Sequence, residues 1–239
     1  MINLNVIARV FQIKWGDSLG TAFAIDRNNR QYLITARHVV EGIAQTDNIE
    51  IYHEDQWKHI NVSLVGSGEG SIDVAILSCS VRLAPPLTLV ASAQGISHGQ
   101  PLYFLGFPFG WRWETKVITD HKFPTPFVKA GILSGALDDF SLLVIDGHGN
   151  QGFSGGPVVF QPDGPWSNEL RVAGVVSSLP SPLSPIVNEE GCIIAKEDNA
   201  PLGYVQENAG FIVAVTINHA IELIDANPIG LPLADDHSS

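Results

Sequence analysis

The sequence predicts an all-β protein, built as an antiparallel sandwich or barrel. Short runs rich in β-branched and aromatic residues recur along the chain and are separated by turn residues, a spacing that is not typical of alternating βαβ units. The 239 residues include 23 glycines and 15 prolines, which favour turns over long helices. With 45% hydrophobic and 16% charged residues, the composition is that of one large or two small globular domains.

The first predicted element is a β-hairpin, in which residues 21–25 and 31–35 flank a turn at 26–30. Further strands are predicted, in chain order, at 49–53, 57–64, 74–77, 102–105, 128–132, 142–145, 157–160, 170–176 and 210–215. A short helix is expected near the C-terminus, with Asn218 as its N-cap and an apolar face made by Ala220, Ile221, Leu223 and Ile224. Residues 83–100 are predicted to link two β-halves, and residues 107–127 and 180–209 are predicted to be long irregular stretches.

The charge of the chain excludes some classes of partner. Acidic residues outnumber basic ones 25 to 13, which gives a net charge of -12. Such a chain would be repelled by nucleic acid and by an anionic membrane surface, so we expect neither as a partner. No apolar run is long enough to span a bilayer, and the N-terminus lacks the pattern of a signal peptide.

The chain has two cysteines, Cys79 and Cys192, which are too few for a disulfide framework. We expect two reduced structural thiols and a cytoplasmic protein. No cluster of Cys and His has zinc spacing, so no metal site is predicted.

In three short segments, a polar residue lies next to a run of residues that predicts a strand. Thr-Ala-Arg-His ends at His38 after an apolar strand, Ser-Ile-Asp places Asp73 directly before another, and Gly-Phe-Ser-Gly-Gly-Pro surrounds Ser154 with glycines. A serine hydroxyl becomes a nucleophile only when a base takes its proton, and imidazole suits that task near neutral pH. A carboxylate then holds the imidazole in the required tautomer.

The glycines around Ser154 allow a tight backbone turn that aims several N–H groups at one point. Such N–H groups stabilise the oxyanion of acyl transfer, and we assign them to Gly152 and Ser154. This chemistry requires no metal and no cofactor.

The order His, Asp, Ser and these three motifs resemble the chymotrypsin-fold, or trypsin-like, serine peptidases. The similarity is greatest to the bacterial HtrA/Deg-type protease domain, which has segments similar to residues 102–110, 130–135 and 210–218. The resemblance implies two six-stranded antiparallel β-barrels and a short C-terminal helix. It also implies a first barrel at 1–90 with His38 and Asp73, a second at 91–226 with Ser154, and a loose tail at 227–239.

The chain departs from that family in four respects. Phe153 replaces the acid that secreted trypsins carry before the nucleophile and pair with a freshly cut N-terminus, so activation by such cleavage is not expected. Paired cysteines are absent, and too few residues follow the helix to form a PDZ domain. Arg37 replaces the small residue or Asn that is common before the histidine.

The resemblance also implies a specificity pocket. His148 corresponds to the base of the S1 pocket, although a turn histidine without that role is an open alternative. The other substrate-binding candidates are Gln151, Ser177, Ser178 and Leu179, the last three on the pocket-wall strand. Because no Asp stands at the pocket base and Leu179 is apolar, we expect a small or medium apolar side chain at P1.

The leading hypothesis is a serine endopeptidase that acts on a protein or peptide through an acyl-enzyme. The alternative is a latent or inactive protease-fold subunit that binds or regulates a partner. A third hypothesis, which the same chemistry allows, is an esterase. Residues 180–209 begin at the pocket wall, and we expect a substrate or an activating protein partner to order them.

The aromatic pair Trp111 and Trp113 is expected to pack on its own barrel. The sequence leaves the oligomeric state open.

Overall fold

The computed structural model describes residues 1–85, 87–115, 123–162, 169–178, 180, 182–196 and 200–233. Within these ranges the strands form two antiparallel barrels of six strands each, which confirms the predicted fold class. No helix in the described ranges is long and apolar enough to cross a membrane.

The first barrel uses the first six strands of the chain. They are β1 Val10–Trp15, β2 Ser18–Arg27, β3 Arg30–Thr35, β4 Thr46–His53, β5 Gln56–Ser67 and β6 Ala75–Cys79. Their order around the barrel is β3-β2-β1-β4-β5-β6, and β6 pairs with β3 to close it. The predicted hairpin is β2 with β3, joined by a turn in which Asn28 and Asn29 have positive φ.

The second barrel follows a short crossing strand. The strands from this point are β7 Val90–Ala91, β8 Pro101–Gly106, β9 Trp113–Thr115, β10 Phe123–Thr125, β11 Phe127–Leu137, β12 Leu142–Asp146, β13 Pro157–Phe160, β14 Arg171–Ser178, β15 Leu183–Pro185, β16 Tyr204–Gln206, β17 Phe211–Thr216 and β18 Leu231–Pro232. The barrel order is β13-β8-β11-β12-β17-β14, closed by β14 with β13, and β7 adds to β14 in parallel.

The core has three parts because strand residues alternate between two faces. In β2, Ala22 and Ala24 point into the first barrel, whereas Phe23 and Ile25 belong to a cluster shared with the second barrel. A third cluster fills the second barrel. The shared cluster fixes the two barrels against each other, and the candidate site lies where they meet.

Two α-helices in the described ranges flank the barrels. Helix α1 spans Leu4–Ile7, and helix α2 spans Ile217–Ala226 with a buried face against the cluster between the barrels. The predicted N-cap of α2 is wrong: Asn218 lies inside the helix, and Thr216 at the end of β17 is the cap residue, without a side-chain capping bond.

The predicted loose tail is wrong for residues 227–233. Strand β18 pairs with β3, and the Arg30 side chain donates a hydrogen bond to the carbonyl oxygen of Gly230 at 2.7 Å. The Asn227 side chain donates to Val65 O at 2.8 Å. These contacts dock the segment on the first barrel. Residues 234–239 lie outside the described ranges.

The two stretches predicted to be irregular contain local β-structure. Strands β9 and β10 form a two-stranded sheet within 107–127, and β15 pairs with β16 within 180–209. Two further bridges, between Val187 and Ile193 and between Ala195 and Pro201, extend the second pair. We call residues 182–206 the arm, which leaves the second barrel after β14.

Candidate active site

His38 lies in a short 3₁₀ turn, Arg37–Val40, directly after β3. Ala36, Val39 and Val40 are buried in the first barrel and fix this turn. The His38 side chain is 46% exposed, so it stands at the surface of the cleft on a rigid base.

Asp73 orients His38 through two contacts. Its Oδ2 atom lies 2.7 Å from His38 Nδ1, and its Oδ1 accepts a hydrogen bond from the His38 backbone N–H at 3.0 Å. The Ser177 hydroxyl donates to the same Oδ2 at 2.8 Å. Burial raises the pKa of Asp73, but the hydrogen bonds and charge of His38, together with the Ser177 hydroxyl, outweigh it, so the net pKa is lowered. An ionised Asp73 requires the proton on Nδ1, which leaves Nε2 free to accept one.

Arg37 supports the Asp73 side of the site, which the sequence analysis did not foresee. Its guanidinium donates to the carbonyl oxygens of Gly68 at 2.6 Å and Gly70 at 2.9 Å. These residues form the turn that leads to Asp73. Arg37 therefore ties the segment that holds His38 to the turn that leads to Asp73.

Ser154 lies in a glycine-rich turn between β12 and β13. Gly152 has φ +99°, and a Cβ there would lie 2.2 Å from Phe107 O, so no other residue fits without a shift. Gly155 has φ +85°, and a Cβ would lie 2.0 Å from Thr21 O. The Thr21 N–H donates to Ser154 O at 2.9 Å. Residues of the first barrel thus hold the turn from the opposite side of the cleft.

Two peptide groups of this turn leave their N–H groups without acceptors among the described residues. Gln151 O accepts from Phe109 N at 2.8 Å, and Phe153 O accepts from Gly156 N at 2.8 Å. In a trans peptide the N–H points opposite to the carbonyl, so the N–H groups of Gly152 and Ser154 point away from those partners. These are the two N–H groups that the sequence analysis assigned to the oxyanion.

The Ser154 hydroxyl is joined to the same network by Ser177. Its Oγ donates to the carbonyl oxygen of Ser177 at 3.4 Å, and the Ser177 hydroxyl contacts Asp73. Among the described residues, no hydrogen bond joins Ser154 Oγ to the His38 ring. Catalytic hydrogen bonds are often long before substrate binds, and a rotation about the Cα–Cβ bond of Ser154 redirects its Oγ.

The predicted pocket residues have different outcomes. His148 lies on the loop before Ser154, and its Nε2 is 3.4 Å from the Asn208 amide nitrogen. Ser177 contacts Asp73 through its side chain and Ser154 through its carbonyl, whereas Gln151 and Ser178 are exposed. Leu179 lies outside the described residues.

The expectation that Trp111 and Trp113 pack on their own barrel is wrong. Their relative exposures are 64% and 69%, and Phe109 is 58% exposed with its backbone in the left-handed region at φ +54°. Only Arg112 packs inward, with its guanidinium carbon 3.5 Å from the centre of the Tyr52 ring. In the described part of the chain, no group of three or more His, Cys, Asp or Glu side chains is arranged to hold a metal ion.

Comparisons with known proteins identify the family. The Rv3671c protease of M. tuberculosis H37Rv, in the inactive form of an alanine mutant, has a TM-score of 0.55 and 22% identity, over 96% of this chain and 91% of that one. The HtrA-type protease AlgW with a tripeptide has a TM-score of 0.57 and 21% identity, and a serine endoprotease from Yersinia pestis has 0.57 and 17%. The matches cover 93% of this chain in both cases, but only 60% and 63% of those two chains. No curated protein sequence matches.

The likeness to these structures is one of fold. A model of the trypsin-like peptidase domain matches residues 20–164, more than half of the chain, and this range includes all three motifs. The chain therefore belongs to the family of trypsin-like serine peptidases.

Proposed function

We propose that the chain is an endopeptidase in which Ser154 is the nucleophile, His38 the general base and Asp73 the residue that orients the base. The observation that carries this proposal is one connected network. It runs from the Ser154 hydroxyl through Ser177 to Asp73 and His38, beside two N–H groups that have no acceptor among the described residues.

The reaction follows from these positions. The Ser154 hydroxyl turns toward His38 Nε2 and attacks the scissile carbonyl carbon while the ring takes its proton. The negative oxygen of the tetrahedral intermediate lies on the N–H groups of Gly152 and Ser154. The C–N bond then breaks, His38 returns the proton to the departing amine, and an ester remains on Ser154. Water, activated by the same ring, hydrolyses that ester.

Labelling with a fluorophosphonate probe tests the nucleophile. The wild-type chain should become labelled at Ser154, and Ser154→Ala should not, whereas the exposed Ser97→Ala serves as a matched control and should label fully. Ser154→Ala and His38→Ala should each lower kcat for peptide hydrolysis by about 10⁶-fold.

Two other results would support a different function. A wild-type chain that does not react supports a latent or regulatory subunit instead. Hydrolysis of esters but not of peptides supports an esterase. The N–H groups of Gly152 and Ser154, which have no acceptor among the described residues, favour a competent site over a latent one, because binding of an oxyanion needs free donors.

The residues of the predicted S1 pocket support a proposal for specificity. No carboxylate stands at position 148, so a P1 Lys or Arg has no partner there. We expect a peptide library to be cleaved after small or medium apolar residues. A profile dominated by P1 Arg or Lys would show that this interpretation of the pocket is wrong.

A further inference from the structure

Lys129, on β11, directs its ammonium group at the loop that precedes Ser154. Its Nζ donates to the carbonyl oxygen of His148 and to the side-chain Oδ1 of Asn150, each at 2.6 Å. It also lies 5.6 Å from the centre of the Phe153 ring. Hydrogen bonds from a charged donor are about twice as strong as neutral ones.

This use of a lysine is unusual for the chain. Acidic residues outnumber basic ones 25 to 13, yet among the described residues Lys129 forms an ion pair with none of them. Burial lowers the pKa of Lys129, so the surroundings disfavour its charge. In place of an ion pair, Lys129 makes its two side-chain hydrogen bonds with the loop.

The contacts of Lys129 complete the support of residues 148–152. The carbonyl oxygen of each residue in this loop accepts a hydrogen bond from within the protein, and the donors are Lys129, Asn208, Phe153 N, Phe109 N and the Thr21 hydroxyl. Lys129 reaches two residues of the loop through charged hydrogen bonds, and its Nζ also lies near the ring of Phe153, beside Ser154. Without it, two acceptors lose the only donors that the described residues provide.

We propose that Lys129 is a positioning residue that holds the 148–152 loop in the conformation in which the N–H groups of Gly152 and Ser154 face the cleft. This rests on the proposed function, because those N–H groups matter only for acyl transfer. The lysine does not touch the substrate, and its effect passes through the loop.

The test compares Lys129→Met, which keeps the aliphatic stem, with Lys129→Arg, which keeps the charge and the donors. We expect Lys129→Met to lower kcat, measured per active site titrated, by about 10- to 100-fold, since small misplacement of catalytic groups is this costly. KM should change by less than about threefold, and Lys129→Arg should recover most of the rate. The double variant Lys129→Met/Asn150→Ala should be no slower than Lys129→Met, because both remove the same contact.

Lys14→Met is the matched control, since Lys14 pairs with Glu50 on the first barrel, away from the loop. Amide hydrogen exchange at 148–153 should accelerate in Lys129→Met and not in Lys14→Met. A purely structural role for Lys129 would reduce the number of titrated sites and leave the rate per site unchanged. That result, or unchanged exchange in the loop, overturns the proposal.

The two proposals fail in different ways. If the wild-type chain reacts with the fluorophosphonate but Lys129→Met keeps its full rate per site, only the role of Lys129 is wrong. If the wild-type chain neither reacts nor hydrolyses peptides, the proposed function is wrong, and hydrogen exchange alone decides whether Lys129 holds the loop.

Discussion

His38 and Asp73 lie at the ends of strands in the first barrel, whereas Ser154 lies in a loop of the second. Val39 and Val40, which follow His38, are buried in the barrel core, and Val74 beside Asp73 is fully buried. Phe153 beside Ser154 is fully buried as well, but the 148–152 loop before it is held by individual hydrogen bonds from β2, β11, Phe109 and Asn208.

This difference indicates at which residues a substitution can change the catalytic rate. Packed strand ends resist change, because moving them costs core contacts. A loop fixed by individual hydrogen bonds can lose one of them and keep its fold. Apart from His38, Asp73 and Ser154 themselves, we therefore expect kcat to respond most to the side chains that donate hydrogen bonds to the 148–152 loop, which are Thr21 of the first barrel and Lys129 and Asn208 of the second.

The largest expected effect in this comparison belongs to the first barrel. Asp73→Asn should lower kcat by about 10⁴-fold, because the amide favours the wrong tautomer of His38. Ser177→Ala removes a hydroxyl from the same carboxylate and leaves its charge, so its effect on kcat should be far smaller. Steady-state kinetics on one peptide substrate would measure both. Equal losses in the two variants would contradict the assignment of Asp73 as the orienting carboxylate.

The second expected effect lies in the Ser154 turn. Gly152→Ala places a Cβ against Phe107 O at a positive φ, so the turn must shift. The Gly152 N–H then no longer points at the position proposed for the oxyanion. We expect kcat to fall by about 10²- to 10³-fold, as when one oxyanion donor is removed. Gly147→Ala is the matched control, because its Cβ would have no atom closer than 3.5 Å. Similar losses in both variants would show that the turn tolerates no alanine for reasons of folding alone.

The sequence predicted what local pattern encodes. Most of the barrel strands and the three motifs are written in contiguous runs of residues, whereas the two barrels were implied by the family resemblance, and strand β1, Val10–Trp15, was not predicted. Contacts between residues that are distant in the chain are not encoded in such runs. Lys129 binds residues 19 and 21 positions away, so the pattern of its strand predicts only an ordinary surface lysine. Strand β18 was missed because two residues, one of them proline, carry no periodicity.

The third prediction concerns stability and pH at Asp73. Although burial raises the pKa of this carboxyl, its contacts with His38 lower the net value, so the folded chain binds the proton less readily than the unfolded chain. The ionised carboxylate therefore stabilises the fold above the unfolded-state pKa of about 3.9, and this contribution is lost as the pH falls through the folded-state pKa. The destabilisation caused by Asp73→Asn, measured by urea unfolding, should be larger at pH 7 than below pH 4. A difference that does not change with pH would contradict the lowered pKa.

The smallest expected effect comes from the arm, because residues that flank it contact the 148–152 loop and each other. The Asn208 side chain donates to Gly149 O at 2.7 Å, and Ala209 N donates to Pro180 O at 3.3 Å. Farther out, the arm exposes large apolar side chains, among them Leu183, Val187, Ile193, Leu202, Tyr204 and Val205. We propose that a substrate or a protein partner orders the arm, and that this order reaches the pocket through Asn208.

Replacing residues 182–206 with a short Gly-Ser linker tests this role. The variant should fold, since β14 and β17 pair directly with each other and do not need the arm. Its kcat/KM should fall by more than about twofold, and Asn208→Ala in the full chain should reproduce part of that loss. Burial raises the pKa of the Cys79 thiol to about 12, so a maleimide dye should react selectively at the exposed Cys192 on the arm and report its movement when substrate binds. A folded variant whose kcat/KM stays within about twofold of wild type, with and without candidate partners, would show that the arm is a passive insertion.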